Sequence, residues 1–130
     1  MLKNKNMLPF KNRLVKRKEH ERVQKLGRFI SSKNIAAKVL ENDLNETRIG
    51  IVVGIKYSKK AIERNQTKKV LREALRPEIK NLKKGLDIII MAKKREEEKL
   101  KSINFKKNIA EILVKGDMLK KAPKDNSQLK

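Results

Sequence analysis

The sequence predicts a mixed α+β domain with the element order α-β-β-β-α-β-α. Three observations lead there. Two runs, RIGIVVGI at 48–55 and LDIIIMA at 86–92, are almost wholly aliphatic, as strands covered on both faces are. In two other stretches apolar residues return every three or four positions, at Thr67, Val70, Leu71 and Ala74 and at Phe105, Ile109, Ile112 and Leu113, which is helical spacing. Between these runs lie clusters of Ser, Asn, Asp and Lys that suit turns. With 130 residues and 38% hydrophobic content, the chain can bury one modest core, so a single domain with loose ends is expected.

Residues 1–12 are polar and basic around Pro9 and read as a flexible N-terminal arm, within which Met7 offers an alternative start. Lys16 to Leu26 is helix-tolerant, Val23 and Leu26 share a face, and Gly27 stands where a C-cap glycine belongs. Three strands are then expected, at Arg28 to Ile30, Ile35 to Leu40 and Arg48 to Ile55. The turns between them are Ser31–Asn34 and Glu41–Glu46. A helix follows from Ser58, its expected N-cap, to Leu75; Pro77 should end or kink it, with a further turn over Glu78 to Lys84 before Gly85. Leu86 to Ala92 is the fourth strand, and a closing helix around Phe105 to Leu113 is expected to be capped by Ser102. From Gly116 to Lys130 the chain mixes Gly, Pro, Asn and Ser with lysines and should stay disordered, leaving 13–115 as the folded domain.

Charge narrows the partner. Lys and Arg number 36 against 15 Asp and Glu, a formal charge of +21 whose self-repulsion an anionic partner would relieve. The basic residues are spread along the chain and are not gathered beside an apolar anchor, which favours nucleic acid over a membrane surface. No segment approaches the ~20 apolar residues of a membrane helix and the first residues contain no signal-peptide core, so a cytoplasmic protein is expected. Cysteine is absent and His20 is the only histidine, which excludes disulfide frameworks, thiolate zinc sites and histidine clusters. Aromatics are 3%, namely Phe10, Phe29, Tyr57 and Phe105, so binding should rest on charge and shape more than on rows of stacked bases.

The helix from Ser58 concentrates that charge. At 100° per residue, Asn65, Lys68, Lys69, Arg72 and Arg76 fall on one arc, Arg64 lies at its border, and Lys59 and Lys60 precede the end whose free N–H groups favour anions. Asn65 to Arg76 spans roughly 16 Å at ~1.5 Å per residue, long enough to follow several phosphates. Solvated cations on an outer helix face are commonplace. Here, however, Lys59, Lys60, Arg64, Lys68, Lys69, Arg72, Arg76 and Lys80 face only Glu63, Glu73 and, past Pro77, Glu78, and no acid sits on the arc.

The segment Lys59-Lys60-Ala61-Ile62-Glu63-Arg64-Asn65-Gln66-Thr67-Lys68-Lys69-Val70-Leu71-Arg72-Glu73 resembles the signature helix of the bacterial ribonuclease P protein family, K-x-A-V-x-R-N-R-x-K-R-x-x-R-E. The preceding RIGIVVGIK resembles the strand before that helix, and Asn12-Arg13-Leu14 its opening N-R-L, so the likeness covers roughly Arg13 to Lys115. The chain departs at Gln66, where Arg is usual, at Lys69, and in the loop Gly54 to Ser58. The resemblance implies a two-layer α+β sandwich of the ribosomal protein S5 domain 2 type with a left-handed βαβ crossover, against the usual right-handed rule. It implies a monomeric protein subunit whose partners are ribonuclease P RNA and precursor tRNA, with no membrane. Catalysis of 5′-leader removal belongs to the RNA, Mg²⁺ is required by the RNA-containing holoenzyme, and the protein itself binds no cofactor. On that likeness Lys59, Lys60, Arg64, Asn65, Lys68, Lys69, Arg72 and Arg76 face the ribozyme. Arg13, His20, Gln24 and Lys38 line a cleft for the leader, the last three standing where relatives commonly carry aromatics.

Catalytic chemistry of the chain's own is not expected. The only acid cluster, Glu96-Glu97-Glu98, follows Lys93-Lys94-Arg95 in a solvated stretch, and Gly50, Gly54 and Gly85 fit no phosphate-cradling frame. No metal-binding or catalytic residue is therefore assigned. Composition alone would equally suit a ribosomal protein, a general RNA chaperone or a DNA-compacting protein; the Arg64-Asn65 helix after a buried strand separates the first reading from these.

Overall fold

Aliphatic residues at both alternating positions of Leu86–Ala92 require cover on both faces, and the fold supplies it. The computed structural model describes residues 10–93 and 104–120. Its elements are α1 (Arg17–Leu26), β1 (Arg28–Ser31), β2 (Ile35–Glu41), β3 (Arg48–Val52), α2 (Ala61–Leu75), β4 (Leu86–Ala92) and α3 (Phe105–Lys115), with short 3₁₀ segments at Phe10–Asn12 and Arg76–Asn81. This is the order the sequence predicts. The four strands run β1-β2-β4-β3 across one sheet. β2 is antiparallel to β1 and to β4, whereas β3 lies parallel to β4 and is connected to it through α2.

The two faces carry unequal cores. On one, Ile35, Ala37, Val39, Ile88 and Ile90 pack under Leu71 and Leu75 of α2 and Ile109, Ile112 and Leu113 of α3, forming the main two-layer core. On the other, Leu14, Val23 and Ile89 form a small cluster, with Leu40, Val52 and Met91 at its rim, beneath α1. Val23 is the only buried residue of α1, and Leu26, expected on the same face, is 62% exposed. So little apolar area cannot seat the helix alone. Arg48 of β3 completes the attachment: its Nη1 donates to Glu19 of α1 at 2.7 Å, and its Nε and Nη2 donate to Oδ1 and Oδ2 of Asp87 on β4 at 2.8 and 2.7 Å. Asp87 is fully buried and also accepts from Asn42 Nδ2 at 2.8 Å. This bidentate, charge-assisted geometry compensates the burial of the carboxylate, and the two acids hold the Arg48 guanidinium pKa above its ordinary value, the hydrogen bonds that Arg48 donates to Asp87 being the largest cause.

Several local expectations change. Gly27 does follow α1, but its backbone is extended (φ −71°, ψ 153°) rather than left-handed. The glycine is needed for space, since a Cβ there would stand 2.6 Å from the carbonyl oxygen of Val23 and 3.2 Å from the backbone of Val39. β3 stops at Val52, not Ile55, because Gly54 to Ser58 turn back, with Tyr57 N donating to Gly54 O at 3.0 Å. α2 begins at Ala61 with Lys60 as N-cap, two residues later than expected; Ser58 Oγ instead accepts from Lys60 N at 3.1 Å and donates to Glu63 at 2.5 Å. Pro77 does end α2, in a 3₁₀ segment that closes at Asn81 rather than reaching Lys84. The cap of α3 is Asn104, whose side chain accepts from Lys107 N at 3.1 Å; Ser102 lies outside the described residues, as do Glu96, Glu97 and Glu98.

The packed body extends past the expected boundaries at both ends. Asn12 is buried and donates to Thr47 O at 2.9 Å. Past α3, Met118 is fully buried, Leu119 forms a bridge with Leu82, and Lys120 N donates to Asn81 O at 2.8 Å. Most of the expected arm, 1–9, and the rest of the tail, 121–130, lie outside the described residues.

Candidate nucleic-acid interface

Thr67, Leu71, Ala74 and Leu75 bury one side of α2. Their opposite side must face water, and it carries the charge. Asn65, Lys69 and Arg76 are exposed there, while Lys68 and Arg72 are half-buried at the flank of the arc. Val70, expected in the buried set, is 40% exposed, and Ile62 is 71% exposed, so the outer face mixes a few apolar side chains with its cations. Arg72 Nε is shielded from solvent without a hydrogen-bond partner. Lys68, Lys69, Arg72 and Arg76 have no ion-pair partner among the described residues.

The start of α2 is held by its neighbours. Tyr57 is buried and its hydroxyl accepts from Thr67 Oγ1 at 3.2 Å, which fastens the incoming loop to the second turn of the helix. Arg64 Nη1 donates to Ser58 O at 3.0 Å. Lys59 and Lys60 are thereby presented, exposed, beside the first free N–H groups of the helix. About 15 residues at ~1.5 Å each give α2 a length of ~22 Å, so this surface is a line, matched to an extended polyanion.

Of the residues expected in a second site, His20, Gln24 and Lys38 lie on the face of the sheet beneath α1, and each is engaged there. His20 Nε2 donates to Leu14 O at 2.6 Å, and the imidazole lies over Gly50 so closely that a Cβ on that glycine would sit 2.6 Å from its Cε1. His20, expected in the leader cleft, is thus a half-buried spacer between α1 and β3. Gln24 Nε2 approaches Met91 Sδ at 3.8 Å, and Lys38 Nζ donates to Gln24 O. Arg13 lies alongside, bridged to Ile49 at the outer edge of β3.

Phe29 was not singled out in the sequence, yet it is 62% exposed and stands opposite Lys38 in the β1–β2 register, on this same face. The signal was alternation: Ile30 points into the main core, so its neighbour must point away. Among the described residues no cluster of His, Cys, Asp and Glu could hold a metal ion, and no helix is long and apolar enough to cross a membrane.

A model of the Ribonuclease P family matches residues 8–116. The ribonuclease P protein component of Dehalococcoides mccartyi strain 195 is 33% identical over 116 residues, covering 89% of this chain and 93% of its own. That of Natranaerobius thermophilus is 38% identical over 85 residues, 65% of this chain and 73% of its own. Among solved structures, the RNase P protein from Thermotoga maritima in complex with 1-(4-fluorophenyl)-2-thiourea superposes with a TM-score of 0.66 at 29% identity, covering 79% of this chain and 94% of that one. The Staphylococcus aureus RNase P protein shares the fold, with a TM-score of 0.72 at 20% identity, over 84% of this chain and 98% of that one. The matched span includes α2 and every strand, and on that ground the chain belongs to the family of ribonuclease P protein components.

Proposed function

We propose that the chain is the protein subunit of a ribonuclease P holoenzyme that matures the 5′ end of tRNA. The observation that carries this is the outer face of α2, a ~22 Å line of cations without internal ion pairs, on a chain of this family. In this reading Lys59, Lys60, Arg64, Asn65, Lys68, Lys69, Arg72 and Arg76 lie against the phosphate backbone of the ribonuclease P RNA. Arg13, Gln24, Lys38 and Phe29 meet the 5′ leader of precursor tRNA on the open face beside α1. Backbone contacts position without reading sequence, which suits a protein that must accept many precursors. Hydrolysis belongs to the RNA and its Mg²⁺; the protein's part is electrostatic, lowering the repulsion between ribozyme and substrate. It acts as a monomer in the bacterial cytoplasm, where precursor tRNA is made.

Reconstitution tests this directly. The protein is mixed with a bacterial ribonuclease P RNA and a precursor tRNA at Mg²⁺ too low for the RNA to work well alone, and release of the leader is followed. Stimulated cleavage is expected from the mixture and none from the protein by itself. Equal rates with and without protein would reject the assignment.

A further inference from the structure

A second group of cations gathers away from the exposed arc of α2. A cavity of about 170 Å³ is lined by Lys11, Lys80, Lys83, Lys84 and Lys120 together with Asn12, Glu46 and Thr47. Thr47 immediately precedes β3 and Lys84 lies just before β4, so the cavity opens at the N-terminal ends of these parallel strands. Its lysines come from three segments distant in sequence, at Lys11, Lys80–Lys84 and Lys120, a fourth segment supplies Glu46 and Thr47, and backbone or buried hydrogen bonds hold the segments in place. Asn12 Nδ2 donates to Thr47 O at 2.9 Å, Lys83 N to Met118 O at 2.9 Å and Lys120 N to Asn81 O at 2.8 Å, while Thr47 Oγ1 donates to Lys83 O and accepts from Leu86 N at 3.1 Å.

The charges are poorly compensated. Among the described residues Glu46 is the only acid in the lining and reaches Lys11 at 3.8 Å; Lys83 pairs with the exposed Asp117 at 2.9 Å. Lys80, Lys84 and Lys120 have no ion-pair partner among the described residues. Such convergence costs stability at low salt unless an anion relieves it. Among the described residues the lining contains no aromatic side chain and no Arg fork, so it suits a phosphate group as a charge and not a base edge.

Its position names the source of that phosphate. Arg76, the last cation of the α2 arc, begins the 3₁₀ segment that carries Lys80. At ~2.0 Å per residue the two are about 8 Å apart along that segment, a short step for a nucleic-acid backbone. We propose that this pocket is a second phosphate-binding site, which receives the backbone of the same RNA that lies along α2 and turns the line of cations into a longer track. The proposal rests on the functional reading above.

The test uses the full chain with Lys80→Gln, Lys84→Gln and Lys120→Gln combined, beside wild type and Arg64→Ala/Lys68→Ala. Binding to a bacterial ribonuclease P RNA and to an unrelated RNA of equal length is measured from low to moderate salt. The triple variant should melt at or above the wild-type temperature and bind ribonuclease P RNA with a log–log salt slope shallower by about two units. An unchanged slope, with the α2 variant weakened, would overturn the pocket and leave the functional reading standing. Wild-type binding no tighter to ribonuclease P RNA than to the unrelated RNA would overturn both. A parallel arm adds inorganic phosphate alone. If phosphate raises the melting temperature of wild type but not of the triple variant, while RNA slopes match, the site serves free anion and the proposal fails.

Discussion

The outer face of α2 and the cleft beneath α1 both collect polar and basic side chains, but they commit them differently. On α2, Lys68, Lys69, Arg72 and Arg76 form no ion pairs among the described residues. Beneath α1, His20, Lys38, Glu19 and Arg48 spend their polar atoms on other parts of the chain. The cause is apolar area: α2 buries Thr67, Leu71, Ala74 and Leu75, whereas α1 buries Val23 alone and needs polar fasteners. A well-seated helix can leave its outer side chains to a partner. A poorly seated one draws on its side chains for its own attachment.

Substitutions should separate the two regions by what they damage. The largest effect is expected from Arg48→Met, which strands the buried Asp87 carboxylate; unfolding in urea should show a loss of about 3 kcal/mol or more. A loss below about 1 kcal/mol would mean that the network does not hold α1, since surface ion pairs are worth no more than that. Next is Gly50→Ala. Its Cβ would displace His20 and break the bond to Leu14 O, costing about 1–3 kcal/mol by overpacking. Because the variant acts on the cleft, any fall in RNA affinity should be small beside the fall in melting temperature. The smallest is Gln66→Arg on the exposed side of α2. It should leave stability unchanged and tighten binding to ribonuclease P RNA by order ~1 kcal/mol; no change would place position 66 off the RNA.

Much of this division was legible locally, and the rest was not. The charge segregation of α2 follows from 3.6-residue periodicity, which needs only neighbouring residues, and it survives in the structure apart from Val70 at the margin. The fourth strand was equally plain, because a run of three isoleucines leaves no polar face. What escaped was set by residues far apart. Arg48 finds Asp87 and Glu19 across 39 and 29 positions, and nothing near any of them announces the match. Gly27 looked like a left-handed cap, but its role is close contact with Val39. His20 drew notice as the lone histidine, yet its partner, Leu14 O, is a backbone group that sequence does not mark. The sheet order β1-β2-β4-β3, which places the α1 cleft, likewise comes from long-range pairing.

The central claim is that α2 binds RNA through cations it does not need for folding. Its most direct test is the salt dependence of binding to ribonuclease P RNA by wild type and by Lys68→Ala/Lys69→Ala, with melting temperatures measured on the same samples. The account predicts weaker binding, a log–log slope shallower by about two units, and near-wild-type melting. An unchanged slope, or a loss of binding explained by unfolding, would contradict it.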